Sequence, residues 1–377
     1  MEHPARAAPT ERHRPHEQAR SIGRPMYLNA LGTSTPGRRY TKRDCWAAFI
    51  ASDWFLRLDE RSRALARLVL TRDNGMDSRW LAVDSLKEVF AIEPDTLQRR
   101  FAEHAPKIAT DAAQAALRRC SLEPAAIDAI VITTCTGYLC PGLTSYVSER
   151  LGLSRHVQTF DLVGQGCAGA LPNWQLCAAL LDSQHCDHVL SISAEVCSAA
   201  LYLDDDPGVL ISACLFGDGS GAAVLSRRPP VARRRVEWSV SGSVLEPASR
   251  NALRFEHRNG LLRNILTREV PQLAAAYAKE ALETTLERAH LSQRAITAWI
   301  MHAGGRDVLT ALEQHLQLGE DALRYSRHVL REYGNLSSAF VYFVLDAALA
   351  DAAPGGWWWL SSFGAGFACH GALLAVD

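Results

Sequence analysis

The chain repeats itself. Leu117, Arg119, Leu122, Ala126, Ile127 and Ala129 recur as Leu286, Arg288, Leu291, Ala295, Ile296 and Ala298, each 169 positions later and without a gap. The first copy reads as an amphipathic helix over Ala112–Cys120, a Leu-Glu-Pro turn and a buried strand over Ile127–Thr134. Gly166-Cys167 then corresponds to Gly334-Asn335, and each pair opens an apolar helix. Val189–Ser193 corresponds to Trp358–Ser362, and Phe216–Gly219 to Phe363–Gly366. The last match is offset by only 147, so the first copy carries about 22 extra residues between Ala194 and Leu215. A tandem duplication of a strand–helix unit predicts two similar α/β halves about a pseudo-twofold axis.

The 377 residues suit such a pair of halves, expected over 25–230 and 231–377. Residues 1–24 are polar, Pro-containing and rich in Arg and His, and read as a disordered tail. Within the first half, Pro25–Thr35 reads as a strand and loop, and 41–70 as helical with Trp46, Phe49, Ile50 and Trp54 on an apolar face. A net charge of −1 gives no reason to expect nucleic acid or a membrane surface as partner. No apolar run reaches the length of a membrane span. Ten cysteines without a CxxC pair or zinc spacing, in a chain with no secretory signal, predict a reduced cytoplasmic protein with no metal. The acidic run Asp204-Asp205-Asp206 reads as a solvated loop rather than a metal site.

One of the cysteines stands apart. Cys167 lies in Gly164-Gln165-Gly166-Cys167-Ala168-Gly169, between an alternating run (Val157–Val163) and an apolar helix with Pro172 in its first turn. A strand-to-helix turn offers free N–H groups and the positive end of the helix dipole, both of which favour a thiolate. Small neighbours leave room for a substrate. His302 ends the strand-like run Ala298–Met301 and is followed by Ala303-Gly304-Gly305, a strand end beside a glycine turn where α/β sheets bind ligands. Under the pseudo-twofold, Asn335 occupies the place equivalent to Cys167. Cys, His and Asn from distant parts of the chain thus converge on one cleft. The trio suits acyl transfer through a thioester, with His302 holding the thiolate and both His302 and Asn335 donating hydrogen bonds to an enolate or oxyanion. Cys–His–Asn proteases use the same residue types, but there the Asn orients the His, whereas here it is expected to face the substrate.

GQGCAGA, CLFGDGSGAAV (214–224), HAGG (302–305) and YGNLSS (333–338), in this order, resemble the type III polyketide synthases, the chalcone and stilbene synthase family within the thiolase fold. The resemblance covers roughly residues 25 to 377, and the tail SSFGAGFACHGALL looks bacterial rather than plant-like. It implies a duplicated, layered αβαβα architecture. It makes Cys167 the acyl-bearing nucleophile and gives His302 and Asn335 to malonyl-CoA decarboxylation and enolate stabilisation. Phe216 becomes the gatekeeper between a CoA tunnel and the reaction cavity. Cys135, Thr136, Cys197 (or Ala200), Ser337, Gly304 and Gly305 are implied around substrate, and Arg67 and Arg72 around CoA.

The family's second gatekeeper phenylalanine falls on Asn264, which suggests a differently shaped, roomier mouth, and the plant GFGPG loop has Ala365 in place of proline. Both weigh against a bulky aromatic starter. The resemblance further implies acyl-CoA and malonyl-CoA as substrates, no cofactor, and a homodimer whose partner completes the cavity through the loop Thr136–Pro141. The expected activity is iterative condensation and cyclisation to an alkylpyrone, resorcinol or related phenol. Two alternatives stay open: a thiolase-fold ketosynthase performing a single condensation, and a catalytically silent partner protein.

Overall fold

The computed structural model describes residues 24–183, 186–231 and 233–377. Except for Arg24, the expected tail over 1–24 lies outside the described residues.

Nine strands form the main sheet: β1 (Met26–Ser34), β2 (Ala129–Thr133), β3 (Gln158–Leu162), β4 (His188–Glu195), β5 (Gly219–Ser226), β6 (Val236–Leu245), β7 (Ile296–Met301), β8 (Gly356–Gly364) and β9 (Ala368–Val376). Their order is β7-β8-β9-β6-β1-β5-β4-β2-β3. Read outward from the β1/β6 seam, each side gives two antiparallel pairings and then a parallel one: β1-β5-β4-β2 on one side, β6-β9-β8-β7 on the other. The duplicated segments therefore occupy mirrored positions in the sheet order, β2 opposite β7 and β4 opposite β8. Strand β3 adds an outer edge to the first half alone. The seam is narrow, with only Met26↔Trp238 and Tyr27↔Glu237 paired across it. The extra residues of the first half fall between β4 and β5, whereas β8 and β9 are joined by a tight turn.

Helices complete the layers. We number five: α1 (Pro94–Cys120), α2 (Ala170–Asp182), α3 (Pro207–Leu215), α4 (Val270–Ala289) and α5 (Phe340–Ala350). Helix α1 packs on β1 and β5, and α4 on β6 and β9, as the two outer layers. Helices α2 and α5 lie between the half-sheets and touch strands of both. Trp174 of α2 donates to the Tyr342 hydroxyl of α5 at 3.0 Å. The repeat extends to atomic packing. A Cβ on Gly32 of β1 would lie 2.3 Å from the Ala112 carbonyl oxygen, and one on Gly242 of β6 would lie 2.3 Å from Thr285 Oγ1 and 3.3 Å from the Ala281 carbonyl oxygen. Ala112 and Ala281 are themselves a repeat pair, so each half presses its outer helix onto a strand glycine. Trp358 and Trp359 of β8 are fully buried in the core so formed.

Two local readings change. Helix α1 begins at Pro94 rather than Ala112 and runs through Pro106. A proline inside a helix costs about 3 kcal/mol, but Leu97, Phe101, Ala105, Ile108 and Ala109 are buried at helical spacing around it and offset that cost. The segment 41–70 is three short helices, Lys42–Ile50, Asp53–Arg57 and Glu60–Thr71, started by the side-chain caps of Thr41, Ser52 and Asp59. Ile50 is exposed rather than part of the apolar face.

Candidate active site

Cys167 sits in a single 3₁₀ turn, Gly166–Ala168, that leads from β3 into α2. The tip of β8 backs this turn so closely that a Cβ on Gly364 would lie 2.5 Å from the Ala168 nitrogen and 2.9 Å from that of Cys167. Ser362 of the same strand donates to the Ala168 carbonyl at 3.0 Å. The Cys167 turn of the first half is thus built against a strand of the second.

Ser337 connects the trio. Its hydroxyl donates to Cys167 Sγ at 3.3 Å, lies 3.2 Å from Cys135 Sγ, and is 3.4 Å from a Glu195 carboxylate oxygen. Its backbone N–H donates to Asn335 Oδ1 at 2.9 Å. Asn335 Nδ2 donates to the Gly304 carbonyl at 3.0 Å, in the turn that follows His302. The carboxamide is therefore fixed at both ends by backbone groups and is only 2% exposed. It does not line the cavity described below, contrary to the expectation that it faces substrate; one Nδ2 hydrogen remains for a ligand. The backbone of Asn335 is coupled to that of Phe216. The two form a bridge in which Asn335 N–H donates to Leu215 O and Gly217 N–H to Asn335 O, both at 2.9 Å.

His302 follows β7 and is 1% exposed. Its ring packs edge-on against Phe363 of β8 (5.0 Å between centroids) and Phe340 of α5 (5.2 Å). Among the described residues neither ring nitrogen has a hydrogen-bond partner. A buried imidazole with both nitrogens unpaired is costly unless a ligand completes it. Gly304, with φ +64, gives the turn after His302 its left-handed residue, and a Cβ there would strike Phe363 at 2.8 Å. Gly304 and Gly305 position His302 and Asn335 rather than line the cavity.

The cavity holds about 820 Å³ of empty space, its open mouth included. Cys167, Cys135, Thr136, Cys197 and Ser337 line it together, as expected, and both Cys197 and Ala200 reach it. Phe216 stands in its wall at the end of α3. Asn264 lines it from the hairpin Leu253–Arg258/Leu261–Leu266 and donates to Ser212 Oγ of α3 at 2.9 Å. Arg67 and Arg72 are exposed on and just after the helix Glu60–Thr71, outside the cavity wall. The acidic run lies in a loop, as expected, with Asp205 exposed, but two of its carboxylates are paired rather than simply solvated. Arg263 of the hairpin pairs with Asp204 (2.8 Å), Asp206 (3.3 Å) and Glu256 (3.1 Å), which clamps hairpin to loop, and Asp206 caps α3. Among the described residues no group of three or more His, Cys, Asp or Glu is placed to hold a metal.

Protonation departs from the sequence reading. Burial pushes the Cys167 thiol up to about 12, opposed by the hydroxyl bond from Ser337. Burial also pulls the His302 imidazole down to about 3. At rest both the thiol and the imidazole are neutral rather than a thiolate–imidazolium pair, because desolvation outweighs the turn's N–H groups. Sequence reasoning missed Glu195. It is fully buried at the end of β4 and accepts from Cys135 N (3.0 Å), Thr136 Oγ1 (2.9 Å), Thr134 Oγ1 (3.3 Å) and the Ser338 hydroxyl. Burial raises its carboxyl above the usual range. A lone acid inside the apolar run His188–Val196 was the available signal.

Comparison with known proteins adds the following. Residues 57–254 match the family model "FAE1/Type III polyketide synthase-like protein", and 239–375 match "Chalcone and stilbene synthases, C-terminal domain". The 3,5-dihydroxyphenylacetyl-CoA synthase of Streptomyces toyocaensis is 28% identical over 352 residues, 91% of this chain and 88% of that protein. The C-terminal type III polyketide synthase domain of Steely1, a type I/III hybrid from Dictyostelium, superposes with a TM-score of 0.84 at 22% identity, covering 93% of this chain and 99% of that one. PKS-I of the brown alga Ectocarpus siliculosus gives 0.84 at 24% identity, covering 94% and 98%. These two structures share the fold.

Proposed function

The chain belongs to the FAE1/type III polyketide synthase-like family, and on that premise we propose that Cys167 carries the growing acyl chain while His302 and Asn335 run the malonyl-CoA chemistry. It is an acyltransferase of the type III polyketide synthase class, with acyl-CoA and malonyl-CoA as substrates. The supporting observation is that Cys167 lines a large cavity and is joined through Ser337 to Asn335, which in turn donates to the turn after His302, whose buried imidazole does not line that cavity.

In loading, the Cys167 sulfur attacks the thioester carbonyl, a sulfur–carbon bond forms, and CoA leaves as the thiol. Neutral His302 takes the Cys167 proton and returns it to the departing CoA sulfur, so no standing thiolate is needed. In extension, the malonyl carbon–carboxylate bond breaks and CO₂ leaves. The electron pair becomes an acetyl-CoA enolate, stabilised by an imidazole N–H and the remaining Asn335 Nδ2 hydrogen. The enolate carbon attacks the acyl thioester, a carbon–carbon bond forms, the acyl–sulfur bond to Cys167 breaks, and the sulfur regains a proton; the extended chain, now on CoA, returns to Cys167 with release of CoA thiol before the next cycle. Phe216 and Asn264 bound the route in, and Arg67 and Arg72 supply positive charge for the CoA phosphates. A resorcinol-type ring is the favoured product class, since the Streptomyces relative's name specifies a 3,5-dihydroxyphenyl product.

The expected assembly is a homodimer. Strand β3 leaves one sheet edge unpaired among the described residues, Val163 just after it is 58% exposed, and Tyr138 of the loop Thr136–Pro141 is 68% exposed.

The test is product analysis by mass spectrometry with a panel of acyl-CoA starters and malonyl-CoA. Multiple extensions that vanish in Cys167→Ala are expected. Products of one extension establish a single-condensation ketosynthase. Absence of product and of any acyl adduct on Cys167 establishes a silent partner protein.

A further inference from the structure

Two of the buried aromatic residues are repeat partners. Trp174 lies seven residues after Cys167 and Tyr342 seven after Asn335, so the two aromatics are separated by the same 168 positions as the two site residues. Residues related by a pseudo-twofold touch one another only where the axis passes, and these touch. Trp174 Nε1 donates to the Tyr342 hydroxyl at 3.0 Å, with ring centroids 6.1 Å apart and the rings inclined at 73°. The contact therefore marks the axis, with Cys167 and Asn335 at equal distances from it along the chain.

A directed chain of hydrogen bonds holds the pair in one arrangement. Ser191 of β4 donates its hydroxyl proton to Asn173 Oδ1 at 2.7 Å, which leaves the Tyr342 hydroxyl as donor in its 2.8 Å contact with Ser191 Oγ. Asn173 Nδ2 donates to the carbonyls of Val131 (3.1 Å) and Ile192 (3.0 Å), on β2 and β4. All four side chains are buried, and each of their polar hydrogens has an acceptor. Breaking one bond orphans a buried group. Gly221 of β5 lets Tyr342 down onto the sheet, since a Cβ there would lie 2.2 Å from that of the tyrosine. Helices α2 and α5 are thus pinned to each other and to strands of the first half.

Resting on the polyketide synthase reading, we propose that Trp174, Tyr342, Ser191 and Asn173 are positioning residues for condensation: they fix the register between the Cys167 turn, which leads into α2, and the Asn335–Ser337 segment, which leads into α5. The steps differ in what they demand. Malonyl decarboxylation uses His302 and Asn335, both in the second half. Carbon–carbon bond formation requires an acyl group carried by the first half to meet an enolate held by the second, and its rate falls steeply when the two are misplaced by an ångström. A loosened axis therefore uncouples the steps. The carbon–carboxylate bond still breaks and CO₂ leaves, but the enolate takes up a proton and departs as acetyl-CoA.

The experiment measures CO₂ released from carboxyl-labelled malonyl-CoA per carbon–carbon bond formed, in wild type, Tyr342→Phe, Ser191→Ala and Thr285→Ala. The first two variants break the hydrogen-bond chain and keep the aromatic rings. Thr285→Ala removes a buried hydroxyl bonded to the Ala281 carbonyl in the outer layer and is the stability control. In Tyr342→Phe the kcat of condensation falls by about tenfold or more with the starter KM unchanged. The ratio of CO₂ to product rises accordingly, and starter alone still acylates Cys167 in intact-mass spectra. Ser191→Ala raises the ratio too, whereas Thr285→Ala lowers only the melting temperature. A wild-type ratio in either axis variant, whatever its melting temperature, overturns the proposal. So does an equal rise in Thr285→Ala, which makes the effect one of general loosening, and so does loss of the acyl adduct, which places it in loading. Each of these leaves the synthase reading intact. Wild type that condenses no starter fails that reading, and the positioning role with it.

Discussion

Replacing Ser337 by alanine removes the one side-chain hydrogen bond that opposes burial at the nucleophile. A hydrogen bond to a charged group is worth about 1.5–3 kcal/mol. Taking the lower end for a soft sulfur acceptor at 3.3 Å, the thiol rises by about one pKa unit in Ser337→Ala. At any pH well below the thiol's own value, the thiolate fraction then falls about tenfold. The more basic thiolate is intrinsically more reactive, and a Brønsted slope near 0.4–0.5 returns about threefold of that. Iodoacetamide should therefore alkylate Cys167 about three- to fourfold more slowly in Ser337→Ala. The assay is timed alkylation followed by peptide mapping, with an added small-molecule thiol as internal reference. Equal or faster alkylation at Cys167, with the reference thiol unchanged, refutes the argument that Ser337 tunes the sulfur.

Three further expectations follow from the geometry. His302 titrates near its ordinary value when unfolded and near 3 when folded, so the unfolded state binds more protons between those values and stability falls as pH drops through that window; from pH 6.5 to 4 the loss is about 3 kcal/mol, and urea melts of His302→Gln should show a correspondingly shallower acid limb. Gly364→Ala drives a methyl to 2.5–2.9 Å from backbone atoms of Ala168, Gln165 and Cys167, which costs about 1–3 kcal/mol; a lowered melting temperature and loss of the Cys167 acyl adduct in intact-mass spectra are expected, and a normal adduct would refute the contact's importance. Arg263→Ala breaks three ion pairs between a buried guanidinium and part-exposed carboxylates, worth about 1–2 kcal/mol together, and hydrogen exchange should accelerate in the hairpin 253–266 while the sheet strands keep their protection.

The global plan was legible because duplication leaves a trace wherever packing is tight. The 169-residue offset that pairs Ala112 with Ala281 reflects two outer helices pressed on two strand glycines, where little but a small residue fits. Cys167, His302 and Asn335 were legible for a similar reason, since each stands at a glycine-rich junction. Short-range signals misled where tertiary burial overrode them. The amphipathic pattern read as starting at Ala112, yet buried apolar residues upstream carry the helix back through Pro106 to Pro94. Thr41, Ser52 and Asp59 cap three helices where apolar spacing alone suggested one. The protonation of the site was the least legible, because a turn's dipole shows in the sequence and the loss of water around a sulfur atom does not. Glu195 stayed hidden because its partners Thr134, Cys135, Thr136 and Ser338 come from other elements.

With the roles proposed for Phe216 and Asn335, the backbone bridge between them ties admission to chemistry. A drift of the chain that widened the doorway would drag the carboxamide out of register with the imidazole, and the enzyme would admit a larger guest only to lose the means of reacting with it. Diversification of such a catalyst is thereby confined to exchanging side chains on a stationary frame. New specificities should arise from a changed ring or amide at the threshold, and insertions or deletions within this loop should be tolerated least.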